Sequence, residues 1–220
     1  MKGRLIVFEG ADGSGKATQA KLLLDYLKKA KIPRESISFP RYKDSLWGKM
    51  VLRYLTGEFG KVNMVNPYLA SVLYAGDRFS ASNKLKKWID QGKIVICDRY
   101  VGSNLAHMAA KIKDEGLRIK FIKWLEELEY GENQIPKEDL AIFLDVPVAI
   151  SRKLMQGRKK DIHESDLNYL KRVVEVYQEL AKLKKNWVKV SCVKNGQLLN
   201  PDKVHLLVLK ILKERKLLSK

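Results

Sequence analysis

Leu5-Ile6-Val7-Phe8-Glu9-Gly10-Ala11-Asp12-Gly13-Ser14-Gly15-Lys16-Ala17-Thr18-Gln19 is the stretch whose reading decides the fold. Its first four residues are all apolar and predict a strand buried on both faces. Glycines at 10, 13 and 15 then let the backbone curl so that its N–H groups point inward, the geometry that holds phosphate oxygens. A helix is predicted to begin at once from Lys16, and its N-terminus adds a partial positive charge. Strand, glycine-rich turn, lysine and helix in this order make a phosphate-binding loop.

Working outward, four more apolar runs read as strands: Ser36–Phe39, Ile94–Cys97, Ala141–Leu144 and Trp187–Val190. Their near-continuous hydrophobicity predicts burial on both faces, as in a parallel sheet covered by helices. Longer amphipathic stretches lie between and after them: Lys16–Ala30, Asn66–Gln91 (with room for a break), Ser103–Tyr130 split near Gly116, Pro147–Gln156, Leu167–Lys184 and Pro201–Leu212. Alternation of this kind predicts an α/β fold of three layers, a five-stranded parallel sheet flanked by helices in the P-loop NTPase manner. Ligands in such sheets bind beyond the carboxyl ends of the strands. The chemical residues should therefore follow strands.

The chain has 220 residues, which suits one compact domain with a small mobile insert, and 45% of them are hydrophobic, enough for a sizeable core. No run of eighteen apolar residues occurs, and the short apolar start is broken too early by Glu9 for a signal peptide, so a cytoplasmic protein is expected. Cys97 and Cys192 sit in apolar strand-like runs and read as reduced, buried thiols. The net charge of +18 admits a polyanion partner. Much of the excess is lysine spread over helical faces, without the interleaved aromatics of a nucleic-acid module, so solvated faces around a phosphate site are the expectation and nucleic acid is not.

Gly10, Asp12, Gly13, Ser14, Gly15, Lys16, Ala17 and Thr18 are expected to hold ATP, with Lys16 reaching its β and γ phosphates. The residue after the loop lysine is usually Ser or Thr, whose hydroxyl ligates Mg²⁺. Ala17 stands there instead. Mg²⁺ keeps waters readily, so water can fill the place.

Four segments in order resemble the thymidylate kinases over most of the chain: GADGSGKATQ at 10–19, FPRY at 39–42, LYAGDRFS at 73–80 and CDRYVGSNLAH at 97–107. Some members of that family also lack Ser or Thr after the lysine. The resemblance implies phosphorylation of dTMP to dTDP with ATP and Mg²⁺, commonly by a homodimer. Asp98 and Arg99 follow the third strand, where the carboxylate can hold the Mg²⁺ hydration shell and the guanidinium can bridge two phosphates. Tyr74 and Arg78 are four apart and share a helix face, suited to stacking on a base and hydrogen-bonding it. The resemblance implies thymine there. It also implies a polar nucleotide contact at Asn104, a sugar contact at the position that His107 fills approximately, and an acceptor-phosphate contact from Tyr42. Pro40 fixes the turn that carries Phe39, Arg41 and Tyr42 toward the acceptor. Asp12, an acid in an anion-binding loop, needs a sugar hydroxyl or metal-bound water to accept from; the resemblance implies the acceptor's 3′-hydroxyl.

A lid is expected over residues 157–165, polar and basic. With glycine at loop position 13, the resemblance implies that it supplies the missing cation, Arg158 first and Arg152 second, ahead of Lys159 and Lys160. Residues 119, 121, 122, 124, 125 and 128 form a broad apolar stripe that reads as core or as a dimer face, and Trp88, Trp124 and Trp187 read as packing residues. Two other readings stay open at this level: a kinase for dUMP, UMP or a deoxynucleoside, and a binding protein that kept the loop without catalysis.

Overall fold

A computed structural model describes residues 3–61, 64–154 and 166–218. In chain order the elements are β1 (Arg4–Glu9), α1 (Lys16–Lys29), β2 (Arg34–Ser38), α2 (Leu46–Leu55), α3 (Pro67–Asp90), β3 (Ile94–Asp98), α4 (Val101–Ala109) and α5 (Glu115–Glu126). A π-helical turn, Glu127–Glu132, extends α5. Then come β4 (Leu140–Asp145), α6 (Val148–Leu154), α7 (Leu167–Leu183), β5 (Trp187–Ser191), the short strands β6 (Val193–Lys194) and β7 (Gln197–Leu198), and α8 (Pro201–Glu214).

The five long strands form one parallel sheet in the order β2-β3-β1-β4-β5, the three-layer α/β fold that the sequence predicts. Its register pairs Phe8 with Asp98 and with Ile142, so Glu9, Asp98 and Asp145 finish at the same edge. Period-2 alternation divides the core. Leu5 and Val7 face the side covered by α3, α4, α5 and α7, while Ile6 and Phe8 face α1 and α8. Each such side chain stabilises the fold by roughly 1.5–3 kcal/mol.

Burial on both faces holds for the central strands but not for β2, which alternates half-buried and exposed positions. It lies at the sheet edge, and its sequence Arg-Glu-Ser-Ile-Ser has one apolar residue. The other edge strand, β5, likewise exposes Lys189 and Ser191.

Helix α3 runs unbroken for 24 residues through Gly76. A Cβ there would stand 2.3 Å from the Trp47 ring, so the glycine serves the packing of α2 on α3 rather than a break. Helix α2 lies outside the elements the sequence predicts; Ser45 caps it by accepting from the Gly48 N–H at 2.7 Å. The break between α4 and α5 falls at residues 110–114, where Asp114 caps α5, and Gly116 lies inside the helix. Of the predicted stripe, Phe121 and Leu125 are fully buried, whereas Ile119 is 47% exposed. Trp187 is buried, and Trp88 and Trp124 pack half-buried against the core. Cys97 and Cys192 are free and buried. Among the described residues, no helix is long and apolar enough to cross a membrane.

Candidate active site

The loop after β1 has the form its glycines require. Gly10, Gly13 and Gly15 all have positive φ, and a Cβ on Gly10 would meet Ser14 Oγ at 2.7 Å and the Leu144 carbonyl at 2.8 Å. Lys16 opens α1 and folds back over the loop, donating from Nζ to the Gly10 carbonyl (2.9 Å) and the Ala11 carbonyl (2.8 Å). Burial, aided by the nearby Arg99 cation, pushes its ammonium down to about 8.

Two clefts border this loop. One, of about 350 Å³, is lined by Asp12, Phe39, Tyr42, Tyr74, Arg78, Asp98, Arg99, Asn104 and His107. Every acceptor-site residue expected from the sequence except Arg41 is thus brought together, from four separate segments of chain. Arg41 turns onto α3 instead: its Nε donates to Asp77 Oδ1 at 3.1 Å, its backbone N–H to Asp77 Oδ2 at 2.7 Å, and Nη2 to the Asp77 carbonyl at 2.9 Å. The second cleft, about 330 Å³, lies across the loop against Gly13, Ser14, Gly15 and Thr18, with Cys192 and Leu199 on its far wall. Ala17 is exposed beside it. Arg152 is half-buried in α6; Arg158, Lys159, Lys160 and the segment 157–165 lie outside the described residues.

The walls of the first cleft are held from behind. Tyr74 meets Tyr54 edge-to-face, with centroids 6.2 Å apart at 87°. Arg78 is fully buried in an ion pair with Glu129 of the π-helical turn, its Nε donating to Glu129 Oε1 at 3.0 Å and its Nη1 to the Tyr100 carbonyl at 3.3 Å. Asn104 donates from Nδ2 to the Ser71 carbonyl (3.1 Å), which leaves its buried Oδ1 without a partner. His107 accepts at its carbonyl from the Tyr169 hydroxyl (2.8 Å). Burial, reinforced by the Arg99 cation, pushes its imidazole down to about 3, so it is neutral at physiological pH.

At the floor, Arg99 pairs with Asp12 of the loop. Arg99 sits in the left-handed region at φ 65, unusual for a residue with a Cβ. Beside it, Asp98 Oδ1 is buried and has no hydrogen-bond partner. An unsatisfied carboxylate oxygen at the strand end facing the phosphate loop fits a hydrated Mg²⁺, which takes one or two carboxylates together with water and phosphate oxygens. Among the described residues, no group of three or more His, Cys, Asp or Glu side chains gathers here.

Sequence reasoning missed Glu9 and Ser103, which lie behind Arg99. Ser103 lies in the first turn of α4, whereas Arg99 precedes that helix in the left-handed region, so helical spacing does not point from one to the other.

A parallel α/β sheet, a phosphate-binding loop after its first strand and a second cleft opposite that loop define a P-loop nucleoside monophosphate kinase. The sequence profile named thymidylate kinase matches residues 8–204. Thymidylate kinase of Mycobacterium tuberculosis is 30% identical over 184 residues, covering 80% of this chain and 85% of that protein. Thymidylate kinase of Mesomycoplasma hyopneumoniae is 32% identical over 192 residues, covering 84% and 87%. The solved structure of thymidylate kinase from Candida albicans, described as revealing the origin of broad substrate specificity, superposes with a TM-score of 0.80 at 26% identity, over 98% of this chain and 93% of that one. The chain belongs to the thymidylate kinase family.

Proposed function

We propose that the protein transfers the terminal phosphate of ATP to dTMP, giving ADP and dTDP, by in-line displacement at the phosphate loop. The observation that carries this reading is the meeting of two clefts at one loop, with Tyr74, Arg78 and Asn104 gathered on the wall of the first. Phosphoryl transfer asks little of a protein beyond alignment and charge neutralisation. The ATP phosphates lie on the N–H groups of residues 10–18, with Lys16 on the β and γ oxygens. The acceptor phosphate lies between Arg99 and Tyr42. Tyr74 stacks on the base, Arg78 donates to its carbonyl, Asn104 Oδ1 accepts from its ring N–H, Phe39 closes one side and Arg41 anchors that segment on Asp77. Asp12 accepts from the 3′-hydroxyl, and His107 packs against the sugar. Asp98 would hold Mg²⁺ through its water shell, and the ion neutralises phosphate charge when bound. Arg158 of the segment 157–165 supplies the further cation, ahead of Arg152.

The enzyme is further proposed to act in the cytoplasm as a homodimer. Leu69, Val72 and Phe79 form an exposed apolar stripe on one face of α3, which a second copy would cover; sedimentation velocity tests this.

A second reading, a wider acceptor range including dUMP or UMP, is favoured by His107, which is smaller than the larger aromatic rings that some family members place at that position. An ADP-release assay over a panel of nucleoside monophosphates separates the two. Preference for dTMP by about tenfold or more in kcat/KM supports the first reading. No turnover with any monophosphate sinks both.

A further inference from the structure

Glu9 ends β1 immediately before the phosphate loop and is completely buried. Both of its oxygens are engaged. Oε1 accepts the Tyr100 N–H at 2.9 Å, and Oε2 accepts the Ser103 hydroxyl at 2.6 Å and the Tyr177 hydroxyl at 3.3 Å. Ser103 Oγ in turn lies 3.3 Å from Arg99 Nη1, which donates to it. The backbone of Arg99 is pinned on either side: its own N–H donates to the Phe8 carbonyl at 3.0 Å, and the next N–H is the one that Glu9 accepts. Left-handed backbone in a residue with a Cβ persists only where its surroundings over-determine it. These two anchors, both from the end of β1, do so. Helix α4 approaches Glu9 as closely as glycine permits, since a Cβ on Gly102 would lie 2.8 Å from Glu9 Oε1 and 2.5 Å from the Trp187 ring.

From this geometry we infer that Glu9 is the positioning residue for Arg99, fixing its backbone through Tyr100 and its guanidinium through Ser103. The inference rests on the reading of Arg99 as the phosphate-bridging arginine. Hydroxyl direction gives the side-chain leg its meaning. Because Glu9 accepts the Ser103 proton, the Ser103 oxygen keeps its lone pairs for Arg99. Burial raises the Glu9 carboxyl, while the Ser103 hydroxyl, Arg99, the Tyr100 N–H and Lys16 act to keep it ionised. A neutral amide at this position would retain the Tyr100 contact but donate to Ser103, occupying the oxygen that Arg99 uses.

The test is a double-mutant cycle between Glu9→Gln and Arg99→Ala. Glu9→Gln should lower kcat by about 10- to 100-fold, the size expected for one lost charge-assisted contact. KM for ATP and dTMP should stay within about threefold. In the Arg99→Ala background the same change should cost less than about twofold. Ser103→Ala, which leaves the Tyr100 anchor untouched, should show the same coupling and serves if Glu9→Gln does not fold. Losses that multiply in full, or an unaltered kcat in both variants, overturn the inference. Nitrogen-15 NMR of the Arg99 guanidinium reads the positioning without turnover: one distinct signal in the parent, averaged by fast rotation in both variants. An unchanged Arg99 signal in both overturns the inference, whereas a parent inactive on dTMP overturns the functional reading alone.

Discussion

Arg99 and Asp12 form an ion pair between the end of β3 and the phosphate loop, with each side chain still about one-sixth exposed. Both residues line the cleft proposed for the acceptor; on that proposal each would exchange its partner when a nucleotide enters, Arg99 for phosphate and Asp12 for a hydroxyl. A pair of this kind keeps a guanidinium aimed at the reacting position without burying it irretrievably. Removing the arginine therefore removes transition-state charge stabilisation and little of the core. Arg99→Ala should lower kcat by about 10²- to 10³-fold, as for other preorganised donors, while circular dichroism and the melting transition stay close to the parent. A loss of only a few-fold would remove Arg99 from the mechanism.

Ala17 occupies the second position of α1 and is exposed, so a larger side chain meets no steric bar. Ala17→Thr supplies the hydroxyl that a standard loop offers the metal. The Mg²⁺ concentration for half-maximal rate should fall by about threefold or more, since a protein oxygen replaces one water of a reluctantly dehydrated ion. An unchanged Mg²⁺ titration would count against any role for this position in holding the metal.

Glu129 and Arg78 meet across 51 residues of sequence, both fully buried. Glu129→Ala leaves the guanidinium buried without its counter-charge, which costs about 3–5 kcal/mol. Urea unfolding at pH 7 measures it directly. The KM for dTMP should rise as well, because the same carboxylate fixes which Arg78 N–H groups face the cleft. A stability loss under about 1 kcal/mol, the range of an exposed pair, would show that water reaches Arg78 readily.

What could be read in the sequence follows from how far apart the interacting groups lie. The loop at 10–16, the strands and the pairs Tyr74/Arg78 and Asn104/His107 are local patterns, set by strand and helix periodicity, and they stand where that periodicity puts them. Glu9 with Ser103 and Arg78 with Glu129 are separated by 94 and 51 residues, so no spacing announces them. The anchor of Arg41 is hidden for a similar reason: Asp77, which holds it, comes 36 residues later. The hairpin β6–β7 carries a short-range signal, Asn195-Gly196, both with positive φ, but two-residue strands are too short to show alternation.

Lys16 gives the sharpest pH-dependent expectation. Its ordinary value is 10.5, and burial first, then Arg99, brings it to about 8 in the folded protein. Between those two values the unfolded chain holds a proton that the folded chain has released. This group therefore opposes folding in full below pH 8, and its penalty is relieved as pH rises from 8 toward 10.5. Binding runs the other way. The phosphates of ATP favour the charged ammonium, so above pH 8 each ATP bound should take up close to one proton. ATP affinity should then fall by up to about tenfold per pH unit. Calorimetry at pH 9 in two buffers of different ionisation enthalpy measures the uptake. Lys16→Met should bind ATP more weakly and without that uptake. Equal binding heats in the two buffers for the parent would mean that Lys16 is already charged before ATP arrives, and that its contacts to the Gly10 and Ala11 carbonyls hold the proton on.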